Sequence, residues 1–345
     1  MNQIIEEEMQ KLSDQGESFA LATILMRNGS APRSTGAKML VRKDGTIAGT
    51  VGGGILEARV QELAARVIQD HRATIQNYKF SGKDASTMDA ICGGQVDVLV
   101  EWIDATDPHL AALIHGMHVA REQHRKAWLV TVVSEETFAT AHALVQPDGT
   151  VLGTLPSALT FETVRETRLP RGIETSGLQI MIEPINISGS AYIFGAGHVG
   201  RSLAEFTKAV GFWTVVLDDR AEYANDERFP TADEVVVLDS YDHLLDKFTF
   251  DRDSFVVIVT RGHMNDRAVL AQILKSDAGY VGMIGSRRKC GLVFDALRQE
   301  GFTEADIQRV YAPIGVAIDA ETPEEIGISI VAEMIQARAR LQKNG

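Results

Sequence analysis

Cysteine is nearly absent: Cys92 and Cys290 are the only two in 345 residues. Two thiols build neither a disulfide framework nor a CxxC zinc knot. The nine histidines contain no HExxH. His115 and His118 have helical spacing, but no nearby cysteine completes a metal set, and they read as helix-surface residues. No run reaches the roughly 18 apolar residues of a membrane span. Basic charge is also scarce. There are 34 Lys and Arg against 47 Asp and Glu, a formal net charge of −13, which argues against a nucleic-acid partner. The opening "MNQIIEEEMQKLSDQGES" is polar and acidic, unlike a signal peptide. The expected location is the cytoplasm.

What remains is ordinary for a globular protein: 45% apolar and 23% charged residues. The length suits two or three domains. An acidic chain can still hold a local basic pocket for a phosphorylated ligand.

The first half carries its pattern twice. Residues 4–15 read as an amphipathic helix and "FALATILMRN" (19–28) as a buried strand. "AKMLVRKDGTIAGTV" is a hairpin around an Asp-Gly turn. A helix (55–71), the strand "QVDVLVEWI" (95–103) and another helix (108–124) follow. Then "AWLVTVVSEE" (127–136) echoes the first strand. "HALVQPDGTVLGTL" (142–155) echoes the hairpin at an offset of 104, and "LQIMIEPI" (178–185) echoes "VDVLVEWI" at an offset of 82. The closing glutamates Glu101 and Glu183 recur in order. The spacing predicts an internal duplication, with halves at 18–103 and 126–185.

Duplication supplies a control. Three segments occur only in the first copy: "NGSAPRSTGAK" (28–38), "VGGGILE" (51–57) and "DAICGG" (89–94). Glycine costs about 0.5–1 kcal/mol in an ordered position, and the second copy does without Gly52, Gly53 and Gly54. They mark a ligand approach or a tight strand-to-helix turn. Glu57 is either a ligand-binding acid or base, or a charge at a helix start. Ser30, Arg33, Ser34 and Lys38 could form an anion nest. Cys92, with Gly93 and Gly94, is either a small buried apolar residue or an exposed thiol able to meet a ligand or accept sulfur. Cys290 reads as a packing residue at a helix start.

From residue 188 strands and helices alternate, as in a doubly wound parallel sheet. The fold class is α/β: an N-terminal α/β domain (1–187) with the duplication, then a Rossmann-like parallel-sheet domain (188–345). "IFGAGHVG" places Gly195, Gly197, His198 and Gly200 in a GxGxxG between strand and helix. In such a turn the first glycine turns tightly, the second admits a pyrophosphate, and the third allows close helix packing. Asp218 stands where an acid would hold a ribose hydroxyl. "VTRGHMND" presents Arg261, His263 and Asp266, and "GMIGSRRK" presents Ser286, Arg287, Arg288 and Lys289. Both follow strands, and the arginines suit a phosphate. Thr322, Pro323 and Glu325 form a capping box for a last helix.

Seven segments in order, "GSAPRSTGAKMLV", "GTVGGGILE", "CGGQVDVLVE", "IFGAGHVG", "VVIVTRGHMND", "GMIGSRRK" and "PIGVAIDAETPEEIGISIVAE", resemble the XdhC/CoxI family of accessory proteins for molybdenum hydroxylases. The resemblance implies a maturation factor and cofactor-binding chaperone more than a turnover enzyme. It implies molybdenum cofactor (molybdopterin) as bound cargo, protected during sulfuration by a cysteine desulfurase and delivered to xanthine dehydrogenase or a related hydroxylase. It further implies a homodimer, and cofactor or nucleotide sites at the N-terminal glycine loops and the Rossmann crevice. The family's C-terminal P-I-G-L-x-I-G-A reads "PIGVAIDA" here, with Asp319 in place of a glycine. Two alternatives stay open: an NAD(P)-dependent oxidoreductase, and a regulatory nucleotide-binding module.

Overall fold

Residues 2–28, 34–79, 94–186 and 189–343 are described in the structure, a computed structural model of the chain. Ser30, Arg33, Cys92 and Gly93 lie outside the described residues. The chain divides into two compact units, Met1–Asn186 and Ile187–Gly345.

In the first unit, helix α1 (Asn2–Asp14) leads into strand β1 (Phe19–Asn28). β1 is apolar at almost every position, so it is buried on both faces over residues 19–25. It takes the centre of a five-stranded antiparallel sheet. Its neighbours are β2 (Lys38–Val41) with β3 (Ile47–Gly49) beyond it, and, past helix α2 (Gly54–Asp70), β5 (Gln95–Ile103) with β4 (Thr74–Lys79) at the edge. One face, carrying Ala20, Ala22 and Ile24, is covered by Leu56, Val60 and Val67 of α2. On the other, Phe19 and Leu21 pack with Ile5 and Met9 of α1 and Ile114 of helix α3 (Pro108–Glu122).

The second sheet repeats the first. Its strands are β6 (Ala127–Ser134), β7 (Thr140–Val145), β8 (Val151–Gly153), β9 (Arg171–Thr175) and β10 (Leu178–Ile185), with helix α4 (Phe161–Glu166) in place of α2. Their order, β8-β7-β6-β10-β9, matches β3-β2-β1-β5-β4. The hairpin turns agree to the atom. Asp44 Oδ1 accepts from Thr46 N and Asp148 Oδ1 from Thr150 N, both at 2.9 Å. Gly45 and Gly149 take the left-handed position, with φ of 84° and 88°. The polar edge strands β4 and β9 have no counterpart among the elements expected from the sequence.

Where the sheets meet, the copies exchange charges. Lys38 Nζ donates to Glu183 Oε2 at 2.8 Å and to Thr23 Oγ1 at 3.0 Å. His142 Nε2 lies 2.9 Å from Glu101 Oε2, and its Nδ1 lies 3.2 Å from Thr131 Oγ1. Lys38 and His142 are equivalent, each paired in register with a threonine, Thr23 or Thr131. Each cation thus takes its carboxylate from the other copy, and all four charged side chains are buried. Burial opposes ionisation of Glu101, but His142 and Lys38 outweigh it and hold its carboxyl below the ordinary value. Burial likewise opposes charge on His142, yet Glu101 raises its pKa. At Glu183 burial wins over Lys38, and the carboxyl is pushed up.

The second unit is a parallel sheet built from β11 (Ser190–Phe194), helix α5 (His198–Ala209), β12 (Trp213–Asp218), β13 (Glu234–Val237), helix α6 (Leu244–Lys247), β14 (Ser254–Ile258), helix α7 (His263–Ile273), β15 (Tyr280–Met283), helices α8 (Arg287–Gln299) and α9 (Glu304–Gln308), β16 (Val310–Tyr311) and helix α10 (Pro323–Lys343). The strand order is β13-β12-β11-β14-β15-β16. Ala191, Ile193, Phe255 and Val257 pack under α5 and α10. Phe194, Val256 and Ile258 pack under α7 and α8 on the opposite face. The chain therefore changes face between β11 and β14, the switch point where such sheets form their crevice. The capping box at α10 is present: Glu325 Oε2 accepts from Thr322 N, and Thr322 Oγ1 accepts from Glu325 N.

Two measurements test the crossed pairs. Lys38→Met strands the Glu183 carboxylate and should cost about 3–5 kcal/mol in urea unfolding. The double change Lys38→Met/Glu183→Leu should recover most of that loss. The second test is the coupling between Glu101 and His142, from a double-mutant cycle with glutamine at both positions. A carboxyl lowered on folding stabilises above its ordinary value of 4.5, and an imidazole raised on folding stabilises below its ordinary value of 6.5. The coupling should be full between those values, fall at higher pH as His142 loses its proton, and fall at lower pH as Glu101 gains one.

Candidate functional site

The segments peculiar to the first copy leave one end of its sheet. Asn28 ends β1 opposite Gln95, which begins β5, and Lys79 ends β4 opposite the same Gln95. On the other side Met39, near the start of β2, pairs with Gly49 at the end of β3. Asn28, Lys38, Gly49, Lys79 and Gln95, the described strand ends that flank these segments, therefore lie at one end of the sheet. The second copy closes the same edge tightly. Ser134 and Ala139 are bonded across the β6–β7 turn, and only Ser176 and Gly177 join β9 to β10. The first copy needs 15 residues, 80–94, for that last connection. Gly36 anchors the long β1–β2 loop against Pro170, whose Cβ would lie 2.7 Å from an added methyl.

The glycine turn at this edge is built by its backbone. Gly52, Gly53 and Gly54 have φ of 145°, 81° and 59°, a run that other residues disfavour. A Cβ on Gly53 or Gly54 would meet nothing within 4 Å, so packing does not demand glycine there, and the turn opens to space. Glu57 braces it from inside. Its Oε1 accepts from Gly53 N at 2.9 Å and from the Thr50 hydroxyl, which itself accepts from Gly52 N at 3.1 Å. In this geometry Glu57 is a support of the turn. The first-turn amides of α2, which have no acceptor within the helix, complete the surface. Gly94 is described just before β5.

In the second unit the expected residues gather at the carboxyl ends of adjacent strands. The three glycines of the GxGxxG have three separate jobs. Gly195 has φ of 119°, and a methyl on it would lie 2.4 Å from Val259 O at the end of β14. Gly200 backs onto the turn, where a methyl would strike Gly195 O at 2.0 Å. Gly197, the N-cap of α5, has φ of −71°, and nothing would lie within 4 Å of its Cβ. It is the one glycine of the three whose missing side chain leaves room for a ligand. His198 begins α5 beside it.

Two further loops flank this turn. Arg261 and His263 are exposed after β14. After β15, Ser286 caps α8 by accepting from Lys289 N at 3.2 Å, while Arg287 and Arg288 are exposed. The loops are tied by a buried group. Asp266 accepts from Thr260 Oγ1 at 2.6 Å and pairs with Lys289 Nζ at 2.5 Å. Cys290 is buried, and burial pushes its thiol up, so it packs as a small apolar side chain.

Asp218 sits at the end of β12 as its spacing predicts, but its carboxylate is engaged by Ala196 N and by Arg220. Burial would raise its pKa, yet the hydrogen bonds from Arg220 and Ala196 hold it low. Sequence reasoning missed Arg220, although "DDR" offered the signal. After β16, Gly315 N donates to Glu333 Oε2 at 3.0 Å. Asp319 has φ of 52°. Aspartate tolerates the left-handed region better than most residues, so the turn written with glycine in the family motif is kept here. Among the described residues, no group of three His, Cys, Asp or Glu is arranged to hold a metal ion. Among them, too, no helix is long and apolar enough to cross a membrane.

Comparison with known proteins adds the following. The sequence model described as XdhC and CoxI family matches residues 12–79, and that of the XdhC Rossmann domain matches residues 191–334. A Bacillus subtilis protein, named as a probable subunit of xanthine dehydrogenase, is 28% identical over 96% of this chain and 96% of its own length. The molybdenum cofactor insertion chaperone PaoD of Escherichia coli is 22% identical over 95% of this chain and 86% of its own. The E. coli protein YqeB, described as uncharacterized, is 28% identical over 96% of this chain, which spans 46% of YqeB. Among solved structures, one titled as a xanthine dehydrogenase from Bacillus halodurans superposes with a TM-score of 0.77. It has 28% identity and covers 97% of this chain and 96% of its own.

The glycine geometry separates folding from binding. Gly200→Ala should lower the thermal midpoint sharply, because its methyl meets backbone. Gly197→Ala replaces a favoured N-cap residue and should cost only about 1 kcal/mol, while weakening any phosphate-bearing ligand of this turn in a binding titration.

Proposed function

The chain belongs to the XdhC and CoxI family, and on that premise we propose that it is an accessory factor for a molybdenum hydroxylase. It takes molybdenum cofactor as cargo and shields it while a cysteine desulfurase supplies the sulfido ligand. It then hands the cofactor to a xanthine dehydrogenase-type enzyme, working as a homodimer. The observation that carries this reading is the relative named for cofactor insertion, matched along 95% of the chain and through both units. The relative named for xanthine dehydrogenase supports the choice of client.

The glycine turn supports the cargo site. A pterin has polar edges and a phosphate, and such ligands suit concave surfaces with exposed amides. The open side of Gly53 and Gly54 and the bracing of the turn by Glu57 both occur in the copy that carries the extra segments. On this reading Gly52, Gly53 and Gly54 let backbone approach the cargo, and Ser30, Arg33, Cys92, Gly93 and Gly94 take part in holding it. The protein's work is binding, orientation and exclusion of water. The Rossmann unit binds a nucleotide at Gly195, Gly197, His198 and Gly200, flanked by Arg261, His263, Ser286, Arg287 and Arg288.

The oxidoreductase reading draws support from the GxGxxG geometry. Nicotinamide turnover by purified protein separates the two. The direct test is anaerobic binding of molybdenum cofactor, released from a donor enzyme, to the purified chain. Stoichiometric binding is expected, weakened about tenfold or more by Gly53→Ala through lost amide contacts. Cys92→Ala, compared in the same titration, reads out any part of that thiol in holding the cofactor. Absence of pterin binding alongside tight dinucleotide binding would sink the maturation reading.

A further inference from the structure

In a doubly wound sheet, a carboxylate at the end of the second strand receives the hydroxyls of an adenosine ribose. An arginine at the same place receives a ribose 2′-phosphate instead. Asp218 holds the carboxylate position at the end of β12, and it is saturated. Oδ2 accepts from Ala196 N at 2.7 Å and Arg220 Nη2 at 3.0 Å. Oδ1 accepts from Arg220 N at 3.1 Å and Arg220 Nε at 2.8 Å. An ionised carboxylate offers about four lone-pair sites, and these bonds fill them. The side chain is 1% exposed. No acceptor remains on it for a ribose hydroxyl.

Two partly exposed arginines stand at this strand end. The Arg220 guanidinium, aligned by Asp218, lies 3.9 Å from the centre of the Tyr223 ring. Its Nη1 takes no part in the fork to Asp218. Arg228 approaches the same ring at 5.1 Å and reaches Ala196 O, inside the glycine turn, at 3.4 Å from Nη2. Arg228 Nε is shielded from solvent and has no hydrogen-bond partner among the described residues. Two guanidiniums thus flank one tyrosine beside the open Gly197, and one of them holds unused donors. Exposed acids share the segment: Asp219, whose Oδ1 is 3.7 Å from Arg220 Nε, and Glu222, Asp226 and Glu227 around Tyr223 and Arg228.

We propose that the Rossmann unit selects an adenine dinucleotide phosphorylated on its adenosine ribose, the NADP class, over its unphosphorylated counterpart, with Arg220 and Arg228 holding the phosphate. This rests on the reading that the unit binds a nucleotide. Bidentate arginine contacts suit a phosphate dianion, and the Asp218–Arg220 fork keeps the Asp218 carboxylate from facing it.

The test is calorimetric titration of the full chain with NADP+, NAD+ and 2′,5′-ADP. NADP+ should bind about tenfold or more tighter than NAD+, the scale of a charge-assisted hydrogen bond, and 2′,5′-ADP should compete with it. Arg228→Ala should remove the preference by weakening NADP+ alone. Arg220→Gln should do the same, with thermal unfolding recorded because it also frees Asp218. If NAD+ binds as tightly as NADP+ or tighter, the selectivity is overturned while nucleotide binding stands, and Asp219 becomes the ribose ligand. If Arg228→Ala weakens both dinucleotides equally, the arginine is not at the ribose phosphate and the assignment fails. If neither binds, the nucleotide reading itself fails and takes this inference with it.

Discussion

Two buried ion pairs that cross between the repeats set the terms for the first unit. Each copy buries one cation and one carboxylate and neutralises neither by itself. Lys38 is answered by Glu183, and Glu101 by His142. A buried charge without its partner is costly, so the copies are bound to meet in the arrangement that satisfies both. Strand register is fixed by the same requirement. A slip of one residue in the first sheet would turn Lys38 and Glu101 toward the apolar face under α2. The pairs need not add much net stability to exert this control, because their effect lies in what they exclude.

The glycines divide by what an added methyl would touch. Gly195 and Gly200 are required by neighbouring backbone, and Gly36 by Pro170. Gly53, Gly54 and Gly197 face open space, so nothing in the packing asks for their small size. At Gly53 and Gly54 the backbone conformation asks for glycine. At Gly197 neither packing nor φ does, and its place there is the N-cap of α5, a position glycine suits better than alanine.

Much of this was legible in the sequence. Asp-Gly turns at matching offsets and strands of matching pattern announced the repeat, because turn chemistry is local. The GxGxxG was equally local. β4 and β9 were not, since "TIQNYK" and "RGIET" are polar edge strands whose pairing comes from a neighbour. Glu101 and Glu183 were visible as recurring acids, but their crossing was not, for one cation is lysine and the other histidine. Asp218 was found by spacing, while its engagement by Arg220 depends on a side-chain fold-back that spacing does not encode. Asp319 takes the left-handed region, which aspartate tolerates better than most residues.

The contrast between the short turn at Ser176 and Gly177 and the 15-residue connection in the same place of the other copy bears on how such a protein diversifies. After a duplication, one copy can serve as ballast. Its compact turns keep the shared core folded, so the other copy's loops are released from structural duty and free to drift in length and composition. Inheritance in this architecture is shared out unequally, with constancy kept on one side and novelty gathered on the other.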